Sequence, residues 1–493
     1  MNKDTTPKTR KEQIPKAEKL EALLAHLGNL LPDDAQRCAF RACSTTPPPA
    51  SLRLNKLIPQ SRSLLPALAK MGEPAPWCPE SFALQEPESR LAHCIEYALG
   101  TFYIQAKAPT LAVEVLDPQP GERVLDMCAA PGGKATQIAA HMKNSGLLVV
   151  NEPHRKRLPA LIGHLERCGV TNAVVGKGQG TMLARYFHNY FDRILLDAPC
   201  SGDGIVRKDQ SMLRYWSVKD ATHQAEFQIG LIRAAFHMLR PGGILVYSTC
   251  SLSLEENEEV LLGLLHKRED QVDIQPIEIF ESLPLPEDIA TRFPPSFTGC
   301  ARVWPHLHDT EGAFVARIGK REETEWRFKE GDAETWTEEE ETTPETIAVV
   351  AALEKQWRFD LPCPPDHLLA TDHRHLWLRH RVTAAFKEHF PFYIRGGMRV
   401  GRRHRAHYYL SQQAVSMWGA LMETPRLELT WEQLQQFFQG EPVELPEPTP
   451  LRGEVLCDFD SRTICRGILE SQGRILRGMV PREHYRADLE RLS

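Results

Sequence analysis

Residues 124–134 read VLDMCAAPGGK, and this stretch decides the fold. Residues 124–126 form an apolar run that ends in an acid, small residues follow, and a helical pattern occupies residues 135–142. Small residues let the backbone approach a ligand closely, and a helix N-terminus offers N–H groups to a carboxylate or phosphate. The turn lacks the GxGxxG pattern, which argues against a dinucleotide-dependent dehydrogenase. It predicts a ligand-binding loop between a strand and a helix.

Three more apolar runs continue the alternation of strand, turn and helix. They lie at residues 147–151, 193–197 and 244–248, and helical patterns such as 158–168 and 227–239 separate them. This alternation predicts a doubly wound, Rossmann-like α/β sheet of buried parallel strands. Because ligands bind beyond the carboxyl ends of such strands, residues that directly follow a strand are the first candidates for chemistry.

The flanking sequence predicts additional units. The pattern predicts an α+β domain at 1–105, an α/β domain at 106–319, an acidic linker at 320–346, a middle domain at 347–395 and a β-rich module at 396–493. The first unit contains a helical pattern at 16–31 and a strand-like alternation at 51–55. The linker is rich in Glu and poor in aliphatic residues, which is typical of segments without a core.

Composition is that of an ordinary globular protein, with 42% apolar and 25% charged residues in 493. No run approaches the roughly 18 to 20 apolar residues of a membrane-spanning helix, and the polar N-terminus predicts no secretory signal. Twelve cysteines occur without any CxxC pair. We therefore expect a cytoplasmic protein with neither a structural metal nor a membrane anchor.

The net charge of −6 means that any nucleic-acid surface must be a local patch. Residues 374–409 contain nine Lys or Arg and one acid, Glu388, with aromatic residues between them. Such a run is most often a solvated face. The interleaved aromatics also fit phosphate contact combined with base stacking. Both interpretations stay open at this level.

Three polar or nucleophilic residues follow strands directly. Glu152 follows the run 147–151, where a carboxylate can accept hydrogen bonds from both ribose hydroxyls of a nucleoside. Cys200 and Cys250 follow the runs 193–197 and 244–248, so both are expected at the same edge of the sheet. Free cysteines are usually small buried hydrophobes, and the cysteines elsewhere are interpreted in that way.

Four motifs together resemble the Fmu/Nop/Sun family of RNA cytosine-5 methyltransferases. They are CAAPGGK at 128–134, Asn151-Glu152, LDAPCSG at 196–202 and STCS at 248–251. The similarity extends to residues 51–55 and 311–316. The layout, with a module after the linker that resembles a PUA-like RNA-binding fold, is most similar to that of members acting on bacterial 16S rRNA.

The resemblance implies S-adenosylmethionine as the cofactor. It assigns the methionine end of that cofactor to the loop residues Cys128, Ala129, Ala130, Pro131, Gly132, Gly133 and Lys134. Glu152 would hold the ribose, and Asp197 would also border the cofactor. Gln179 occupies the position at which the family usually has an Asp for the adenine amino group. A Gln carbonyl can still accept that hydrogen bond.

The resemblance also implies the catalytic roles. Cys250 would be the nucleophile that adds to C6 of cytosine, and Cys200 would promote product release. Asp197 would hydrogen-bond the base at N3 or N4, and Lys134 would offset charge in the same place. The opposite assignment of the two cysteines is the rival, because DNA cytosine methyltransferases use a Pro-Cys nucleophile.

Turning a cytosine out of folded RNA costs a few kcal/mol, which phosphate contacts must offset. The predicted RNA contacts are Arg53, Asn55, Arg207, Lys208, Arg402 and Arg403. The expected partner is 16S rRNA in the 30S subunit, bound by a monomer. Two alternatives remain: the same chemistry on transfer RNA, and a non-catalytic RNA-binding assembly factor, which only Gln179 favours.

Overall fold

The computed structural model describes residues 16–85, 88–214, 216–322, 333, 336, 341–404, 407–480 and 488–492. Most of the predicted acidic linker at 320–346 lies outside the described residues, as do residues 1–15 and Arg405 of the basic run. Elements are numbered below in chain order.

The first unit is a small α+β layer. Its elements are α1 (Lys16–Gly28), α2 (Asp34–Cys43), β1 (Ala50–Leu54), α3 (Leu65–Met71), β2 (Gly72–Ala75), β3 (Cys78–Leu84), α4 (Glu88–His93), α5 (Ile95–Ala98) and β4 (Phe102–Ile104). The strands form an antiparallel sheet in the order β2-β3-β1-β4. Leu23, Leu24 and Leu27 of α1 are buried, as are Leu52 and Leu54 of β1, in agreement with the predicted periodicity.

The second unit carries the large sheet. Its elements are α6 (Leu111–Leu116), β5 (Arg123–Asp126), α7 (Gly133–His141), β6 (Leu147–Asn151), α8 (Leu158–Arg167), β7 (Ala173–Gly176), α9 (Gly180–Leu183), β8 (Phe191–Asp197), α10 (Val218–Met238), β9 (Leu239–Thr249), α11 (Glu258–Leu265), β10 (Val272–Gln275), α12 (Glu287–Ala290), β11 (Ala301–Val303), α13 (Pro305–His308) and β12 (Ala313–Lys320).

The strands β7-β6-β5-β8-β9 are parallel neighbours in that order, and β12 adds antiparallel to β9. All five residues of β6 are buried, since apolar cores cover both faces of the sheet. The predicted Rossmann-like fold is thereby confirmed. Hydrophobic periodicity alone does not predict β7, because it has only four residues, or the antiparallel β10, because it is too polar.

The third part contains α14 (Pro344–Trp357), β13 (His367–Thr371), β14 (His375–His380), α15 (Thr383–His389), β15 (Tyr393–Gly396), β16 (Met398–His404), β17 (His407–Leu410) and α16 (Gln412–Trp418). One sheet, β13-β14-β16-β17, takes strands from both sides of the predicted boundary at 395 and 396. Strand β15 instead pairs with β7 at the edge of the large sheet. The predicted boundary therefore does not separate two units in the structure.

The last part contains β18 (Arg426–Glu428), α17 (Trp431–Gln439), β19 (Val443–Glu444), β20 (Gly453–Phe459), β21 (Arg462–Glu470) and β22 (Ile475–Gly478). These strands form a five-stranded sheet in the order β18-β20-β21-β22-β19, which agrees with the β-rich module predicted there. Its core also includes Ile95, Ala98 and Leu99 of the first unit. Within the described residues, every helix is too short or too polar to cross a bilayer.

Candidate active site

The carboxyl ends of β8 and β9 bring the two predicted cysteines together. Cys200 follows β8 and Cys250 follows β9, and the strands pair in parallel up to Asp197 and Ser248. The two Sγ atoms lie 2.9 Å apart. The rule that strand-end residues share one edge thus places both thiols in one site.

Asp197 lies between the thiols and the cofactor loop. Its Oδ2 accepts a hydrogen bond of 2.7 Å from Lys134 Nζ, and its Oδ1 accepts one of 2.8 Å from Ser248 Oγ. Burial lowers the pKa of Lys134, but the carboxylates of Asp197 and Asp126 outweigh it, so the pKa is raised overall. Lys134 is therefore held as a cation beside the thiol pair. Sequence reasoning had not included Ser248 among the site residues.

The electrostatic surroundings of the two cysteines differ. A hydrogen bond with Cys250, burial and the nearby carboxylates of Glu256 and Asp197 all raise the pKa of Cys200. Cys250, in contrast, interacts favourably with the Lys134 ammonium. A thiolate is the nucleophilic form of cysteine, and a cation stabilises it. The arrangement favours the thiol form of Cys200 and places the Lys134 cation beside Cys250.

Two buried acids hold the cysteine loops. Glu256 accepts hydrogen bonds from Ser201 N at 2.9 Å, from Ser201 Oγ and from Gln228 Nε2 at 3.0 Å. Asp203 accepts from Leu252 N at 2.6 Å and from nearby serine hydroxyls. Each acid lies within six residues of a site cysteine in the sequence, and that proximity is the signal that could have identified them.

Asp126 is a further acid of the site that the sequence did not single out. It ends β5, is 1% exposed and has no side-chain hydrogen-bond partner among the described residues. Burial, together with the neighbouring charge of Asp197, raises its pKa to about 7. A buried carboxyl with a shifted pKa beside a lysine is typical of a functional site.

The loop after β5 is shaped to hold a ligand. Gly132 adopts φ +114°, a conformation that other residues rarely take, and a Cβ on Gly133 would lie 2.5 Å from Gln105 Oε1. Glu152, predicted to hold a ribose, is buried at the end of β6, and Arg157 Nη1 lies 3.0 Å from its Oε2. The backbone cradle and the buried acid fit a nucleoside-containing cofactor with a carboxylate end.

Gln179 is placed differently from the other cofactor candidates. It precedes the short helix α9, and its side chain is exposed. Gly178 before it packs against Phe392, which follows α15. Gln179 thus stands at the rim of the sheet edge and not inside the cradle.

Two of the predicted RNA contacts are buried. Arg53 Nη2 donates to Thr136 Oγ1 at 2.8 Å, and Asn55 Nδ2 donates to the carbonyls of Gly100 and Cys168 at 2.8 and 2.9 Å. Both residues are at most 2% exposed. Their burial argues against the predicted RNA contact and gives them a structural role, because they hold β1 against the catalytic unit.

Arg207 has a similar role. It is 9% exposed, and its Nη2 lies 2.6 Å from Asp309 Oδ1. Lys208, its neighbour, is more open and pairs with Glu88 and Glu311 at 3.3 and 3.5 Å. The structure therefore argues against RNA contact for Arg207 but keeps Lys208 accessible.

Arg402 and Arg403, the last two predicted RNA contacts, are exposed on β16. Strand β16 belongs to a different sheet from β8 and β9, whose ends carry the thiol pair.

One group away from this site has the composition of a metal site. Ligand-type atoms of Cys78, Glu80 and Glu114 lie within 4.8 Å of one another. Lys56 pairs with Glu80 at 2.9 Å, and His141 lies 3.2 Å from Glu114. Both carboxylates, Glu80 and Glu114, therefore have partners within the protein.

Comparison with known proteins fits this geometry. Residues 113–319 match the family model described as 16S rRNA methyltransferase RsmB/F. The chain is 31% identical over 481 residues to the ribosomal RNA small subunit methyltransferase F of Aliivibrio fischeri, covering 94% of this chain and 97% of the relative. The chain belongs to the RsmB/F family of 16S rRNA methyltransferases. The predicted family resemblance is confirmed.

Other relatives agree with this RsmB/F membership. The Escherichia coli protein of the same name is 32% identical over 94% of this chain and 96% of its own length. Among solved structures, a methyltransferase homologue from Pyrococcus horikoshii is 29% identical with a TM-score of 0.54, covering 62% of this chain and 99% of its own. The NSun6 structure from the same organism, solved with SFG, has a TM-score of 0.53 at 22% identity, over 63% of this chain and all of its own, and supports the fold alone.

Proposed function

We propose that this RsmB/F member transfers a methyl group from S-adenosylmethionine to C5 of a cytosine in 16S rRNA. The observation that carries the proposal is the thiol pair Cys200 and Cys250, 2.9 Å apart, beside the Lys134–Asp197 ion pair. A methyl transfer to oxygen or nitrogen needs no thiol, whereas transfer to cytosine C5 needs a thiol nucleophile, and the second thiol fits a role in product release. The names of the full-length relatives support rRNA of the small subunit as the substrate.

The chemistry needs a nucleophile because C5 of cytosine is a weak one by itself. The Cys250 thiolate adds to C6, forming an S–C6 bond and moving electron density to C5. Asp197, held by Lys134 and Ser248, accepts a hydrogen bond from the N4 amino group, or from N3 once N3 carries a proton, and so orients the base. The Lys134 ammonium offsets the negative charge that the thiolate brings into the ring. S-adenosylmethionine, when bound, would supply the methyl group: the C5–CH3 bond forms as the sulfonium S–CH3 bond breaks, and S-adenosylhomocysteine leaves.

Release of the product reverses the first step. The proton on C5 leaves to a base, the C5–C6 double bond reforms and the S–C6 bond breaks, returning the thiolate to Cys250. Cys200 lies against the Cys250 sulfur and promotes this elimination. Covalent catalysis of this kind divides one difficult step into easier ones.

Cofactor contacts follow the same reasoning. The loop Cys128 to Lys134 would hold the methionine end through its backbone, and the buried Glu152 would accept hydrogen bonds from the ribose hydroxyls. Gln179 would contact the adenine from the rim. The protein acts as a monomer on RNA in the cytoplasm, with the 30S subunit as its substrate.

The test is transfer of labelled methyl from S-adenosylmethionine to 30S subunits, naked 16S rRNA and bulk transfer RNA. Wild type labels 30S or 16S RNA at C5 of cytosine. Cys250→Ala abolishes labelling, because no thiolate reaches C6. Cys200→Ala accumulates a protein–RNA adduct that survives denaturing gel electrophoresis, since addition proceeds but release does not.

Each of the other outcomes contradicts one part of the proposed function. An adduct that persists in Cys250→Ala and disappears in Cys200→Ala reverses the two roles. Labelling of transfer RNA alone changes the substrate and keeps the mechanism. A wild type that labels no RNA supports a non-catalytic RNA-binding factor, and Gln179→Asp then tests whether the adenine contact is the missing element.

A further inference from the structure

The sheet β13-β14-β16-β17 has two faces of different character. Leu376 and Leu378 of β14, with Met398 and Val400 of β16, belong to a buried apolar core. Side chains of a strand alternate between the two faces, so the residues between these leucines lie on the opposite side. That opposite side contains polar and aromatic residues.

The strand register defines two rows on that side. A β-bulge in β16, opposite Leu376 and Trp377, inserts one extra residue and so interrupts the alternation between Val400 and Arg402. Beyond the bulge, His375, Arg402 and Tyr409 lie side by side across β14, β16 and β17. Trp377 and Arg399 form the adjacent row. We call these five residues the outer face. Arg402 is exposed and has no ion-pair partner among the described residues, and the others are half-buried.

Arg403, one residue further along β16, belongs to the other side. It is paired in register with Tyr408, whose ring packs against the buried core, and its Nη1 lies 3.9 Å from Glu345 Oε1 on α14. The two arginines that the sequence groups together therefore point to opposite faces of one strand.

The acids near the outer face are already engaged. Asp372 accepts hydrogen bonds from the backbone N–H of His375 and from Trp377 Nε1, both at 2.7 Å. Glu166 of α8 is bound by Arg399 and by Arg395, whose guanidinium also stacks over Trp377 at 4.7 Å. Arg402 thus remains as an exposed positive charge, paired in register with Tyr409, whose ring centroid lies 5.3 Å from the Arg466 guanidinium.

We propose that the outer face binds the RNA substrate at a distance from the reacting cytosine, with Arg402 on a phosphate group. This proposal rests on the proposed function. Arginine beside aromatic rings on an open sheet fits a sugar–phosphate strand with bases lying against the rings. Phosphate contacts of this kind position an RNA without reading its sequence.

Helix α8 separates the outer face from the cofactor-side edge of the large sheet. Helix α8 begins next to the cofactor-side edge of the large sheet and ends at Glu166 and Arg167, so its ten residues span about 15 Å. Arg399 docks on Glu166 at that far end. The outer face therefore anchors a long or folded RNA, while the cytosine itself enters the thiol site.

The experiment measures affinity of the full-length protein for naked 16S rRNA by filter binding over a series of salt concentrations. Arg402→Ala raises the Kd about five- to tenfold and lowers the slope of log affinity against log salt by about one, because one phosphate contact is lost. Arg402→Lys keeps the slope. Arg403→Ala, the matched variant on the other face, has a smaller effect on both quantities. Circular dichroism checks that each variant folds.

Several results separate this proposal from the proposed function. Wild-type affinity and slope in Arg402→Ala, or an equal loss in Arg403→Ala, overturn the outer face as an RNA site. If Arg402→Ala binds 30S subunits more weakly but binds naked rRNA as the wild type does, the outer face does not bind RNA, and its partner is an acidic ribosomal protein. A wild type that binds rRNA through Arg402 but transfers no methyl group leaves the outer face intact and overturns the proposed chemistry.

Discussion

At the scale of single residues, the site depends on ionisable side chains that lie close together and are largely shielded from solvent. Asp197 is shared by Lys134 and Ser248, and Asp126 lies buried nearby. The carboxyl of Asp126 has a pKa raised to about 7, chiefly by burial. Ionising it in the folded protein is therefore unfavourable compared with an exposed aspartate.

This shift predicts how stability depends on pH. Between about pH 4 and pH 7 the folded state keeps a proton on Asp126 that the unfolded chain has lost, so the free energy of unfolding falls as pH rises. A rise of the Asp126 pKa to about 7 corresponds to a loss of at most about 4 kcal/mol in the free energy of unfolding. Asp126→Asn removes this contribution. Without cofactor, we therefore expect the thermal midpoint of the variant to rise relative to that of the wild type as the pH is raised from 5 to 8.

The control is Asp209→Asn, a substitution of the same type at an exposed acid. Its thermal midpoint follows that of the wild type at both pH values. If Asp126→Asn and wild type change in parallel with pH, the carboxyl is not the buried acid described above.

At the scale of elements, the cysteine loops are held by acids in neighbouring segments and by one buried ion pair. Arg302 of β11 donates to both oxygens of Glu258 of α11, at 2.9 and 2.7 Å, and both residues are at most 5% exposed. Arg302 also donates to the carbonyl of Leu252, two residues after Cys250. This pair therefore links β11, α11 and the loop that carries Cys250.

Removing one partner leaves the other charge buried. Glu258→Gln is expected to lower the free energy of unfolding by about 3–5 kcal/mol, measured by urea denaturation. Arg321→Ala, which breaks the exposed pair with Asp273, costs at most about 1 kcal/mol and serves as the control. Equal effects of the two variants would show that water reaches the Arg302–Glu258 pair.

At the scale of the whole molecule, the end of the chain joins the last part to the first. Glu490 N donates to the carbonyl of His93, and Ile95 N donates to the carbonyl of Glu490. Leu489 packs in the core of the last part, whereas Leu492 packs in the core of the first unit. The C-terminal residues thus connect two cores that are far apart in sequence.

Leu492→Ala is expected to destabilise the first unit by about 2–5 kcal/mol through loss of apolar contacts and the cavity left behind. Hydrogen exchange should accelerate in β1 and β4, which surround this core, more than in β6 of the large sheet. Leu307→Ala, at a leucine that is 42% exposed, leaves exchange in β1 unchanged. Uniform acceleration throughout the chain would contradict a local role.

Local patterns in the sequence were enough to predict the large sheet and its reactive edge. Runs such as 147–151 alternate with helical periodicity, and parallel strands leave their following residues at one edge, so Cys200 and Cys250 could be placed together without a structure. These features depend on neighbours within a few residues, which the sequence displays directly.

Tertiary structure decided the features that depend on distant partners. Only packing shows that Arg53 and Asn55 are buried, that β15 joins the large sheet, and that Arg402 and Arg403 lie on opposite faces of β16. An arginine in the sequence carries no sign of whether it meets water or a buried carbonyl. Its role is set by strand register and by contacts across more than 80 residues of chain, as between Arg53 and Thr136, because burial is a property of the assembled layers and not of the local pattern.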